Sequence, residues 1–189
     1  MNNAAGYMGY QLKELMRDDV IGSIFTDPNN PDDFIAGFVE QVGARSALVA
    51  SVTPYGKMDG YFGVRLAAVL EVQYDSVYAE RLDLLMKMDG QKRARMEIGE
   101  DEDALVFLLT YAAHEGRAVT VWTATESYAG FTTKANDLFV EIEPVDFMGR
   151  RCPEMTFRLT DIEMASVGSE EELMYERLDD YHHEKRGEQ

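Results

Sequence analysis

Cys152 sits beside Arg150 and Arg151, and neighbouring positive charge lowers a thiol's pKa toward a nucleophilic thiolate. It lies in an expected hairpin turn ahead of Pro153 with no base identified next to it, so it reads as an ordinary surface cysteine. His114 falls in the last turn of an apolar helix candidate, where a partly exposed imidazole suits the negative end of the helix dipole. His182 and His183 beside Asp179 and Asp180 place four potential metal ligands in one stretch, but adjacent histidines on a fraying helix end do not close a site. The acids between Glu97 and Asp103 lack the spacing of a calcium loop with its central glycine and read as solvated charges favouring the start of the next helix. There is no phosphate-cradling glycine loop, no Gly-x-Ser-x-Gly elbow, no His-Glu-x-x-His helix and no pair of Cys-x-x-Cys turns. The chain is therefore read as a non-enzyme without cofactor or metal.

Binding chemistry is better represented. Tyr55, Tyr61 and Phe62 beside Gly56 and Gly60 could form an aromatic patch, while Arg45, Lys57 and Arg65 could meet phosphates. Against nucleic acid stands a net charge of −17, from 35 acidic and 18 basic residues, which repels phosphate backbones wherever salt does not screen it. The same charge steers the chain toward basic partners.

The elements that position these residues are mostly strands. Tyr7–Arg17 spaces Met8, Leu12, Leu15 and Met16 as one helical face. Strands are expected at 20–26, 34–42, 45–52, 61–66 and 68–74, with turns at 27–33, at Gly43 and at Thr53-Pro54-Tyr55-Gly56. Asp75 or Ser76 caps a helix carrying Val77, Tyr78, Leu82, Leu85 and Met86. The stretch 91–103 reads as a linker, and Ala104–Glu115 as a helix stopped by Gly116. Strand 117–124 then opens a second series. In it Leu138, Val140 and Ile142 form the inner face with Phe157, Leu159 and Ile162. Ser169 and Glu172 form a capping box for a helix bearing Leu173, Met174, Leu178 and Tyr181, and the tail from His182 has no core.

The second series repeats the first at one constant spacing of 93 residues, as from Gly37 to Gly130, Val52 to Val145, Gly56 to Gly149, Arg65 to Arg158 and Leu66 to Leu159. On these glycine strands, glycine turns and Arg-Leu strands the chain resembles the Sm-like family, within the wider group of SH3-like small barrels. The resemblance implies α+β architecture, mainly β: two tandem five-stranded barrels with flanking helices, at 1–90 and 104–189, joined by 91–103. It also implies RNA metabolism or ring-like assembly. The Asp-x-Met-Asn stretch and the Arg-Gly pair of Sm proteins are missing, so no RNA-contacting residue is carried over.

The expected function is a binding or adaptor module whose acidic surface docks on a basic protein partner or on copies of itself, the eleven methionines offering apolar contacts. An Sm-like RNA binder is the alternative. No apolar run approaches the roughly 18 residues of a membrane span, and the start lacks the basic-then-apolar pattern of an export signal. With one cysteine and so no internal disulfide, the expected location is the cytoplasm.

Overall fold

The computed structural model describes residues 3–30, 32–93, 95–99 and 102–187. Pro31 of the expected turn, Ala94, Glu100 and Asp101 of the expected linker, and Glu188 and Gln189 of the tail lie outside them. The chain runs α1 (Asn3–Asp18), β1 (Ile21–Phe25), β2 (Phe34–Val42), β3 (Ser46–Val52), β4 (Met58–Arg65), β5 (Glu71–Gln73), α2 (Val77–Met88) and α3 (Ala104–Glu115). It continues as β6 (Ala118–Thr123), β7 (Ser127–Ala135), β8 (Phe139–Pro144), β9 (Met155–Arg158), a 3-10 turn at Leu159–Asp161, β10 (Ile162–Val167) and α4 (Glu170–Gly187). The class is α+β, mainly antiparallel sheet. Two compact units, Met1–Leu105 and Val106–Gln189, divide the chain. Strand order is β5-β1-β2-β3-β4 in the first and β10-β6-β7-β8-β9 in the second, so in each unit the last strand returns to the first.

In the first unit β1 is covered on both faces, because successive strand residues point opposite ways. Ile21 joins Ala36, Val52, Ala79, Leu82 and Met86 in a core under α2. Its neighbour Gly22 faces α1, where an added Cβ would lie 2.4 Å from Leu15 Cδ1. Leu12 and Leu15 are the buried residues of the expected α1 face, while Met16 is exposed. All seven residues of β3 are buried, which explains why Ser46–Val52 is apolar and small rather than alternating.

The 93-residue repeat has a physical basis in each unit. A Cβ on Gly37 would stand 2.3 Å from the Ala50 carbonyl oxygen, and one on Gly130 2.3 Å from that of Glu143. Gly56 and Gly149 both turn at φ 73° and lie against Leu85 of α2 and Leu178 of α4 respectively. Ser76 caps α2 by accepting from the Ala79 amide at 3.1 Å. At the equivalent position the Ser169 amide donates to Glu172 Oε2 at 2.8 Å, one half of the expected box.

Helix α4 departs from expectation. Leu173, Met174 and Tyr181 are exposed, whereas Glu172 and Asp179 are buried. Glu172 accepts from the Ser166 hydroxyl. Glu176 accepts from Arg117 Nε at 2.7 Å and the Ala118 amide at 3.0 Å. Asp179 takes both Arg151 Nε (3.0 Å) and Nη2 (2.7 Å). The acids at 172, 176 and 179 share one helical face, and the sheet supplies donors for them that the pattern of α4 alone does not reveal. Two further apolar residues expected inside lie outside, Val77 at the open first turn of α2 and Leu138 in the β7–β8 turn. The tail to Gly187 continues α4.

Gly37→Ala and Gly130→Ala are each expected to lower stability by about 1–3 kcal/mol through overpacking, read from urea midpoints; an unchanged midpoint in either would remove the shared role. Burial alone would raise the pKa of Asp179, but hydrogen bonds and charge from Arg151, with His183 and His182, hold it below its ordinary value. Its contribution to stability is thus full above the unfolded value near ~4 and is lost as pH falls through the lower folded value. Asp179→Asn should destabilise at pH 7 by roughly 3 kcal/mol and by progressively less as pH falls below about 4, in thermal melts across pH.

Candidate functional site

Among the described residues two other than glycine have left-handed backbone, Asp19 (φ 54°) after α1 and Asp75 (φ 56°) before the α2 cap. The second unit fills the matching places with Gly116 after α3 (φ 65°) and Gly168 before Ser169 (φ 80°). A side chain in this conformation costs about 1–2 kcal/mol, less for aspartate, whose carboxylate can bond locally. The first unit thus accepts strain that the second avoids, and both aspartates line the same groove.

That groove lies between β1, β2 and α2. Asp19, Val20 and Ile21 form one wall, Asp75, Ser76, Ala79, Glu80, Asp83 and Lys87 the other, and Phe38 the floor, enclosing about 290 Å³. A more open space of about 380 Å³ continues it past Met86 to Gln91, Arg93 and Arg95. The lining cations are each engaged. Lys87 Nζ lies 2.5 Å from Asp83 Oδ2. Arg93 reaches Asp19 at 2.7 Å and Glu40 at 2.9 Å and stacks 4.5 Å over the Phe38 ring; Arg95 lies 3.4 Å from Asp19. The Glu40 side chain is 4% exposed; its burial raises its pKa, Arg93 and Arg95 oppose this, and Asp19 adds to it. Asp75 and Glu80 add carboxylates to the α2 wall, so the groove is negative, and Ile21, Phe38 and Ala79 are apolar parts of its lining.

Described residues of the 91–103 stretch pack within the first unit. Besides the Arg93 and Arg95 contacts, Gln41 Nε2 donates to the Gly99 and Glu102 carbonyls at 3.3 and 3.1 Å. Asp103 is not a solvated charge: its carboxylate is buried, accepts from the Ser46 hydroxyl at 2.9 Å and caps the Leu105 amide at 3.1 Å.

None of the residues singled out from sequence as catalytic, metal-ligating or binding candidates lines the groove. Tyr55 and Lys57 are exposed in the β3–β4 turn. Tyr61 and Phe62 pair with Ala50 and Val49 on β4, half-buried and directed to opposite faces. Arg65 lies opposite Ser46 at the far end, next to Arg45, whose Nε is 3.0 Å from Asp103. With ~3.3 Å per strand residue, Lys57 and Arg65 stand roughly 26 Å apart along the chain, so the three cations do not form one cluster. One groove residue carried a signal in the sequence, Asp75, which stands 93 residues before Gly168; Asp19 stands 93 residues before Ala112, and its counterpart Gly116 is found only from its place in the fold. His114 is exposed with Nδ1 2.7 Å from Glu115, Cys152 is exposed, and the His182 and His183 rings bond to the carbonyls of Met148 and Asp179 at 2.9 Å. Among the described residues no three His, Cys, Asp or Glu side chains are grouped to hold a metal ion.

No protein-family model matches the chain, nor does any curated protein or solved structure. Among the described residues no helix is long and apolar enough to cross a membrane.

If strain at 19 and 75 is kept for the carboxylates, glycine there should be tolerated and alanine should not. Asp75→Gly and Asp19→Gly are expected to be more stable than the corresponding alanine variants by about 1 kcal/mol, measured by chemical denaturation; equal stabilities would refute the strain.

Proposed function

We propose that the chain is a non-enzymatic binding or adaptor protein whose first unit holds a basic segment of a protein partner in the groove between β1, β2 and α2. The observation that carries this reading is the pair of strained aspartates, Asp19 and Asp75, on one groove where the second unit has glycine. A lysine or arginine side chain suits the site, its aliphatic stem lying on Phe38 and Ala79 while its head meets carboxylate oxygens. The net charge of −17 would speed the encounter. In this reading each unit is a small barrel of Sm-like or SH3-like kind, a form favoured by the return of the fifth strand to the first. The single cysteine suits a reducing compartment such as the cytoplasm.

The test is capture by tagged protein from nuclease-treated extract, compared with the variant Asp75→Asn, Glu80→Gln, Asp83→Asn. Basic proteins should be retained after nuclease, released by added salt, and lost from the variant. Co-purifying nucleic acid, with micromolar RNA affinity at physiological salt removed by changing Arg45, Lys57 and Arg65 to glutamate in a folded protein, would overturn the reading in favour of RNA.

A further inference from the structure

Helix α4 buries acids and exposes apolar side chains, and this inversion defines a second surface. Met174, Leu178 and Tyr181 recur at the i, i+4, i+7 spacing of one helical stripe. Met174 is 43% and Tyr181 50% exposed. The β8–β9 turn lies against the same stripe, since Gly149 sits on Leu178 and the Met148 carbonyl meets the His182 ring at 2.9 Å. That turn adds Phe147, 90% exposed, and Met148, 53% exposed. Acidic residues Glu170, Glu171, Asp180 and Glu184 rim the helix, with Arg177 among them. Exposed apolar side chains on a helix and on the turn lying against it, with a charged rim, mark an interaction surface, and the first unit carries Arg81 where this one carries Met174.

We propose that this face of α4, with Phe147 and Met148, docks a cationic amphipathic helix from a protein partner. The apolar stripe of such a helix would pack between the turn and α4, methionines adapting to its side chains, while lysines or arginines on its flanks meet the acidic rim. A second copy of this chain is disfavoured as occupant because it brings the same acidic rim and a further −17 of charge.

The probe is a fluorescent peptide of leucine and lysine about 18 residues long, or five helical turns, with leucines on one helical face. A scrambled peptide of identical composition and a leucine–glutamate analogue serve as controls. Full-length protein should bind the amphipathic peptide at least about tenfold more tightly than the scrambled one and should ignore the acidic one. Phe147→Ser, Met174→Gln and Tyr181→Gln together keep the net charge, alter only exposed side chains, and should weaken binding about tenfold with an unchanged melting midpoint. The groove variant Asp75→Asn, Glu80→Gln, Asp83→Asn should bind the peptide as the native chain does, so this surface and the groove can fail separately. Equal binding of scrambled and patterned peptides, full affinity in the α4 variant, or loss only in the groove variant would overturn the proposal. So would a dimer in sedimentation that the α4 substitutions dissolve, which would make a second copy the occupant.

Discussion

Both units depend on seating a helix against a sheet at a left-handed glycine. At Gly56 and Gly149 the turn backbone comes so close to Leu85 of α2 and Leu178 of α4 that an added Cβ would stand 2.5 and 2.4 Å from the leucine Cβ. Positive φ and this lack of room exclude other residues by two separate mechanisms. Once the turn and helix are in register, the remaining helix positions are assigned to the sheet or to solvent.

What fills the inward positions then differs. In the first unit Ala79 and Met86 face the core. Their equivalents 93 residues on, Glu172 and Asp179, are buried with hydrogen-bonded partners. A buried carboxylate requires such partners, and removing one leaves an uncompensated charge. The second unit therefore recruits Ser166, Arg117 and Arg151 from the sheet side. Arg151 also stacks 4.1 Å over Phe131, as Arg93 does over the equivalent Phe38. The same ring is thus covered by a guanidinium from a different part of each unit, the segment after α2 in one and the β8–β9 connection in the other.

This divergence distributes the chemistry. The first unit retains an apolar helix seat and places its carboxylates around an open groove, two of them in strained backbone. In the second, acids are consumed inside as ion-pair and capping partners, leaving methionine, tyrosine and phenylalanine outside. One architecture, duplicated, thereby presents two surfaces of different character.

Much of the scaffold was legible in the residues. The bounds of β2 and α3, the Ser76 cap, the turns at Gly56 and Gly149 and the repeat itself follow from local rules: β-branched runs, capping hydroxyls, and glycine where φ must be positive. Those rules act over a few residues, so sequence carries them. Beyond Asp75 standing opposite Gly168 in the repeat, the groove was not legible, because Asp19, Phe38, Asp83 and Arg93 are brought together only when β1, β2, α2 and the following segment pack. Nor was the orientation of α4. Hydrophobic periodicity predicts that Leu173, Met174 and Tyr181 face inward, since apolar burial is the usual driving force. The tertiary structure decides otherwise because Arg151, Arg117, Ser166 and main-chain amides offer the acids specific bonds on that side, and a helix can turn only one face to its sheet.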